Sequence, residues 1–318
     1  MTEGYIVNST KSYHTEHLST LGWELTVCNA LYPEGTPVRK LLTHNDSFGH
    51  LLYDYLSKFM PMERIEKILE IGGGYGYLMR DFLDRNRSLT ACMLDISPFL
   101  LGKQQETLKE YALDFLQEDF LETDPVFLKG FDFAILNENL GDFPSLVNLS
   151  QDVFGLSIDN ADPVLQWAAG FFKKYNLEKP RDDTFNVNVG AIETLEKLCS
   201  AGIPYIYVGE HSCEASVPVG LRSLIRIKST GNPERISLAG HDEYTIKFSY
   251  LQQVAHALDY TSIRGPFADF IQFEMTDEIR FNLSSGGRHS DEAEIICQFV
   301  EDLFKYEYLI LIKKRMIR

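Results

Sequence analysis

The residues in this chain whose types and spacing most suggest chemistry lie between an apolar strand and an apolar helix. In "KILEIGGGYGYLMRDF", residues 67–82, Glu70 precedes Gly72, Gly73, Gly74 and Gly76. Glycine is favoured where the backbone takes unusual dihedrals or must approach a ligand closely, and a helix starting just beyond offers unpaired N–H groups to an anion. Such a turn reads as a cofactor cradle, because its glycines carry an entropic cost that a plain turn does not need. The dinucleotide pattern G-x-G-x-x-G would require glycine at position 77, where the chain has Tyr77, so that fingerprint fails.

Further candidates stand just after the later apolar strands. Asp95 lies 25 residues beyond Glu70 in "LDISPFL", where an acceptor-only carboxylate can take both hydroxyls of a ribose. Asp119 follows in "QEDFL", then Asn137, Glu138 and Asp142 in "LNENLGDFP", and Glu210 and His211 in "VGEHS". His211 is either a base or a structural hydrogen-bond partner. Pairs such as His14 with His17, or His211 with Cys213, lack the further ligands of a metal site, so the sequence reading assigns no metal.

The elements that must position these residues are legible as an alternation. "KILEI", "LTACML", "LDFLQ", "FDFAIL" and "IPYIYVG" read as strands, and "YLMRDFLDR", "SPFLLGKQQETLKEY" and "AIETLEKLC" as helices. That rhythm predicts an α/β fold, a mostly parallel sheet with helices on both faces, and ligands beyond the carboxyl ends of the strands. Ser97 and Pro98 fit a helix start. Residues 1–60, with "SFGHLLYDYLSKFM" at helical spacing, predict a helical N-terminal lid ahead of a main domain over 61–318. The rhythm breaks over 140–187, which predicts an inserted substrate cap with a helix in "PVLQWAAGFFKKY". Strand candidates near Phe267 to Phe273 and in "YEYLILIKK", around a helix from Asp291 to Phe304, complete a seven-stranded sheet.

Glu70-x-Gly72-x-Gly74-x-Gly76 resembles motif I of class I S-adenosylmethionine-dependent methyltransferases. Together with "LDISPFLLGKQQETL" and "LNENLGDFP" it resembles the MidA-type methyltransferases, the family that includes the mitochondrial complex I assembly factor acting on arginine. The resemblance implies a Rossmann-like fold and S-adenosyl-L-methionine as cofactor. It implies that Glu70 holds the methionine amino end and that the backbone of Gly72, Gly73, Gly74 and Gly76 lies against the sulfonium nucleoside. By the same resemblance, Asp95 and Ile96 face the ribose, Asp119 and Phe120 the adenine, and Asn137 and Glu138 the transferable methyl. The chain departs from the family pattern where Gly141 replaces an aspartate, with Asp142 one later, and where "VGEHS" replaces Asp-Tyr-Gly.

A guanidinium is always protonated in water, and a buried Glu138 could orient it and leave one nitrogen nucleophilic. For a hydroxyl acceptor the same group would serve as general base. The sequence therefore predicts a methyltransferase acting on a protein side-chain nitrogen, with Glu138, Asn137 and His211 as catalytic candidates. A small-molecule O-, N- or carboxyl-methyltransferase and a non-catalytic cofactor-binding assembly factor are the alternatives.

With 318 residues, 44% of them hydrophobic, the chain can bury a large core. A formal charge of −16 without a basic stripe argues against nucleic acid and is compatible with a basic protein segment. Five scattered cysteines, no long apolar run and no basic-then-apolar start predict a cytoplasmic protein without disulfides or membrane contact, which could form a homodimer.

Overall fold

The structure, a computed structural model, describes residues 5–20, 26–32, 34–155, 162–287 and 290–314. The N-terminal part gives strand β1 (Ile6–Asn8), helix α1 (Val27–Leu31) and helix α2 (Phe48–Leu56). Strand and helix then alternate through β2 (Lys67–Ile71), α3 (Tyr77–Arg85), β3 (Thr90–Asp95), α4 (Pro98–Thr107), β4 (Asp114–Gln117), α5 (Pro125–Leu128) and β5 (Phe133–Asn137). An excursion through β6 (Ser145–Ser150), α6 (Pro163–Tyr175) and β7 (Thr184–Val187) leads to α7 (Val189–Ala201) and β8 (Tyr205–His211). The hairpin β9 (Arg235–Ser237) and β10 (Asp242–Tyr244) is followed by α8 (Phe248–Ala257) and β11 (Tyr260–Pro266). Helices α9 (Asp277–Ser285) and α10 (Asp291–Lys305) then precede the last strand, β12 (Tyr306–Lys313).

Seven strands form one sheet in the order β11-β12-β8-β5-β2-β3-β4. Six point the same way, and β12 alone runs against them, antiparallel to both β8 and β11. The fold is therefore the α/β, seven-stranded, mostly parallel arrangement expected from the alternation. Alternate residues of the central strands feed two cores, as period-2 side-chain direction requires. Ile68, Ile135 and Tyr207 face Leu52, Phe82 and Leu303 on one side; Leu69, Leu136 and Val208 face Leu195, Leu251 and Phe172 on the other. Ser97 caps α4 by accepting from the Leu100 amide at 3.3 Å, with Pro98 in its first turn, which fixes where β3 ends and its acid stands.

Three expectations differ from the structure. Residues 1–60 are not helical throughout: β1 pairs antiparallel with β6, which pairs with β7, so the N-terminus joins a small sheet with the excursion. That excursion carries two strands besides helix α6, and its residues 156–161 lie outside the described residues. The strand expected near Phe267 to Phe273 lies instead at Tyr260–Pro266, with a 3-10 turn at Phe267–Asp269. As an edge strand, β11 is only half buried and lacks the apolar run of a central strand. Phe267, Phe270 and Ile271 supply that run but pack as a turn.

Candidate functional site

The glycine turn sits at the carboxyl end of β2. Gly72, Gly74 and Gly76 have φ of +65°, +53° and +81°, in the left-handed region that favours glycine. A Cβ at Gly72 would collide with the Asn139 side chain, whose Nδ2 donates to the Ile71 carbonyl, so part of the turn's bareness serves the protein's own packing. Under it lies Glu70, only 2% exposed, with Oε2 buried and without a hydrogen-bond partner. Burial, reinforced by the charge of Asp95, raises its pKa to about 8. An unmatched buried carboxylate oxygen is costly in a folded protein, and a donor brought by a ligand would satisfy it.

Asp95 ends β3 and is fixed from two sides. Its Oδ1 accepts from the Ser97 amide at 2.9 Å and its Oδ2 from Gln104 Nε2 at 2.7 Å. The same Gln104 amide donates to the Gly74 carbonyl at 3.1 Å, so one side chain ties the acid to the glycine turn. Burial raises Asp95 to about 6 against the pull of these bonds. Asp119, after β4, accepts from the Leu121 amide and pairs with Lys11 Nζ at 2.7 Å. Lys11 also reaches Glu122 at 2.7 Å, laying the N-terminal segment beside Phe120.

The group after β5 is arranged differently from its sequence reading. Glu138 sits at φ +56°, and its carboxylate accepts from the amides of Val27 at 2.9 Å and Cys28 at 3.1 Å. Asn137 Nδ2 donates to it at 3.0 Å, and Tyr306 also bonds to it. A carboxylate has about four acceptor sites, so these four partners nearly saturate it. Burial still raises Glu138 to about 7. It holds the start of α1, with little capacity left for an acceptor.

Glu210, 4% exposed at the end of β8, accepts from the amides of Gly141 at 3.2 Å and His211 at 2.8 Å. Burial, then the nearby charge of Glu243, raises it well above the usual carboxylate range. At Gly141 the surroundings disfavour an added carboxylate. A Cβ there would lie 3.4 Å from Glu243 Oε2, pointing one carboxylate at another. Asp142 turns to His14 instead, at 2.9 Å. His211 stacks on Tyr306 with ring centroids 3.7 Å apart, and burial lowers its pKa to about 3, so its imidazole is neutral.

A cavity of about 820 Å³ connects these groups, a size usual for ligand sites. Its wall includes Glu70, Gly72, Gly73, Gly74, Asp95, Ile96, Asp119, Phe120, Asn137, Glu138 and His211; Gly76 lies behind it as the N-cap of α3. Lys11, Asn139 and Tyr306 also line it and carry no sequence signal of their own; His14, named above only in a pair with His17, lines it too. In the structure His14 meets Asp142 and His241, their ligand atoms lying within 4.8 Å of one another. No helix among the described residues is long and apolar enough to cross a membrane.

No protein-family model matches the sequence, and no curated protein does either. Among solved structures, the chain is similar to an uncharacterized protein from Burkholderia thailandensis, at 13% identity and a TM-score of 0.51, over 90% of this chain and 86% of that one. A methyl-transferase candidate from the same organism, bound to S-adenosyl-homocysteine, matches at 12% identity and a TM-score of 0.48, over 84% and 76% of the two chains. The plantazolicin methyltransferase BpumL in complex with the same molecule gives 14% and 0.42, over 91% and 89%. At 13% identity the likeness to the first of these shows the fold.

Proposed function

We propose that the protein is an S-adenosylmethionine-dependent methyltransferase of the MidA type, acting on a nitrogen acceptor with an arginine-like protein side chain as the first choice. The observation that carries this reading is the buried Glu70 oxygen left without a partner beneath the glycine turn. Glu70 would hold the cationic amino end, the backbone of Gly72 to Gly74 the sulfonium nucleoside, Asp95 the ribose hydroxyls, and Asp119 with Phe120 the adenine. Bound there, the cofactor supplies an electrophilic methyl group.

The chain's own task is then alignment and charge placement. Glu138, Asp142, Glu210 and Glu243 all line the cavity. The two lysines of the wall, Lys11 and Lys305, are paired with carboxylates. Carboxylates held above their usual range by burial gain by ionising beside a cation, so this wall favours a cationic acceptor. Glu210 spends two acceptor sites on backbone amides and keeps the rest, so it takes the acceptor-orienting role, and an arriving cation would draw its raised pKa down. Glu138 is a positioning residue in this reading, because it docks α1 against the cavity. His211, held neutral, offers one N–H donor and one acceptor nitrogen without carrying a charge at neutral pH.

A small-molecule acceptor is the second reading, favoured by the Lys11–Asp119 pair that draws the N-terminal segment across the cavity. Incubation with methyl-labelled S-adenosylmethionine, arginine-rich peptides and a small-molecule extract separates the readings. Label on peptide, lost in Glu210→Gln, supports the proposal; label only in small molecules supports the second. Cofactor binding with no transfer to either would leave a non-catalytic binding protein and contradict the enzyme reading.

A further inference from the structure

Three segments far apart in sequence meet at one edge of the cavity. Residues 8–14 arrive from the N-terminus, the turn Leu140–Asp142 from the end of β5, and His241 and Glu243 from the β9–β10 hairpin. His14 Nε2 lies 2.9 Å from Asp142 Oδ1, His241 Nε2 lies 3.7 Å from that same oxygen, and Glu243 Oε1 lies 3.2 Å from His241 Nε2. Ligands bound at about 2.0–2.2 Å in a tetrahedron stand roughly 3.3 Å apart; the three separations bracket that value, and the ligand atoms of His14, Asp142 and His241 all lie within 4.8 Å of one another.

The chemistry of the set is selective. Two imidazoles with a carboxylate suit zinc and its borderline neighbours, whereas magnesium and calcium prefer oxygen ligands. The His241 side chain is 4% exposed, so its Nε2 meets the Asp142 and Glu243 carboxylates largely shielded from water. Tyr13 stacks on this imidazole at 4.1 Å, fixing the ring plane. Thr10 Oγ1 donates to the Asp142 carbonyl at 2.9 Å and Asn8 Nδ2 to the Asp242 carbonyl at 2.8 Å, so the backbones are already docked.

We infer that His14, Asp142 and His241, with Glu243 as the nearest further ligand, form a zinc-class divalent metal site that clamps the N-terminal segment over the cavity mouth. The charges agree: two carboxylates balance one divalent cation, and a chain of net charge −16 attracts cations. The site is separate from the residues assigned to the methyl donor. Asp142 and Glu243 also belong to the proposed acceptor wall, but metal binding to the unliganded protein is read without methyl transfer.

The test uses the full chain stripped with chelator, titrated with Zn²⁺ by calorimetry and with Co²⁺ by visible absorption. One equivalent should bind, with the intense Co²⁺ bands of low coordination. His241→Ala and Asp142→Asn should each weaken binding at least tenfold, while His17→Ala, on an exposed histidine, leaves it unchanged. Zn²⁺ should also slow protease cleavage before residue 20 in the wild type but not in His241→Ala. Circular dichroism shows that each variant is folded, and where one is not, the other variant and the wild-type spectrum decide. Absence of saturable Zn²⁺ binding, or binding that both ligand variants retain or that His17→Ala removes, would overturn the assignment.

Discussion

The Glu138 carboxylate accepts the Val27 amide at 2.9 Å, so the residue after β5 that most resembles a catalytic acid is the anchor of the first α-helix. Glu138→Gln would turn a donor toward backbone donors. We expect a loss of about 1–3 kcal/mol, the scale for breaking hydrogen bonds to a buried charge. Hydrogen exchange should show α1 loosened, and transfer should fall because the cavity wall is displaced. Unchanged protection across residues 26–32, with transfer lost, would return Glu138 to the acceptor itself.

Asp95 and Gln104 act as one unit between β3 and the glycine turn. Asp95→Ala should weaken S-adenosylhomocysteine binding by about 1.5–3 kcal/mol, roughly 10- to 150-fold. Gln104→Leu, which touches no expected ligand atom, should weaken it less by freeing Asp95 and Gly74. Equal affinities for wild type and Asp95→Ala would reduce Asp95 to a cap for the Ser97 turn.

The raised pKa values set the expected pH dependence. Glu70 at about 8 and Asp95 at about 6 lie above the ordinary values of 4.5 and 3.8, so the folded state holds these protons longer than the unfolded chain. The unfolded state then binds fewer protons, and apo-protein stability falls with pH from the unfolded values up to the folded ones. Melting temperature should drop between pH 5 and 8. Glu70→Gln should flatten that slope and raise the melting temperature at pH 8 by roughly 3–6 °C. A steeper slope in the variant would contradict the buried-carboxylate account.

Lys11 joins Asp119 and Glu122 at 2.7 Å each, with its side chain 48% exposed. Screened by water, these pairs should add less than about 1 kcal/mol to stability. Lys11→Ala is therefore expected to leave the melting temperature nearly unchanged while speeding cofactor release in stopped-flow measurements. A large loss of stability would mean that the N-terminal segment is part of the core.

Much of this site was legible because it follows the strand ends. Apolar strands separated by helices place Glu70, Asp95, Asp119 and Asn137 at the carboxyl edge, and the glycine turn marks where a ligand can come close. What could not be read depends on contacts between distant segments. Nothing near Glu138 in sequence announces that α1, more than a hundred residues earlier, will take its carboxylate. Likewise His14 and His241 become neighbours only because β1 pairs with β6 and the β9–β10 hairpin folds against the turn after β5. The strand β11 was misplaced because, at the sheet edge, burial on one face leaves a weaker apolar pattern than the neighbouring Phe267 turn.

The most direct test of the donor site is calorimetric titration of S-adenosylmethionine, S-adenosylhomocysteine and NAD into the wild type and Glu70→Gln. The expected result is saturable binding of the two adenosyl ligands and none of NAD. In Glu70→Gln, still folded, S-adenosylmethionine should bind at least tenfold more weakly, on the scale of a lost charge-assisted hydrogen bond. A folded wild type that binds neither adenosyl ligand, or a Glu70→Gln variant that binds as tightly as the wild type, would contradict the assignment of this cavity to a methyl donor.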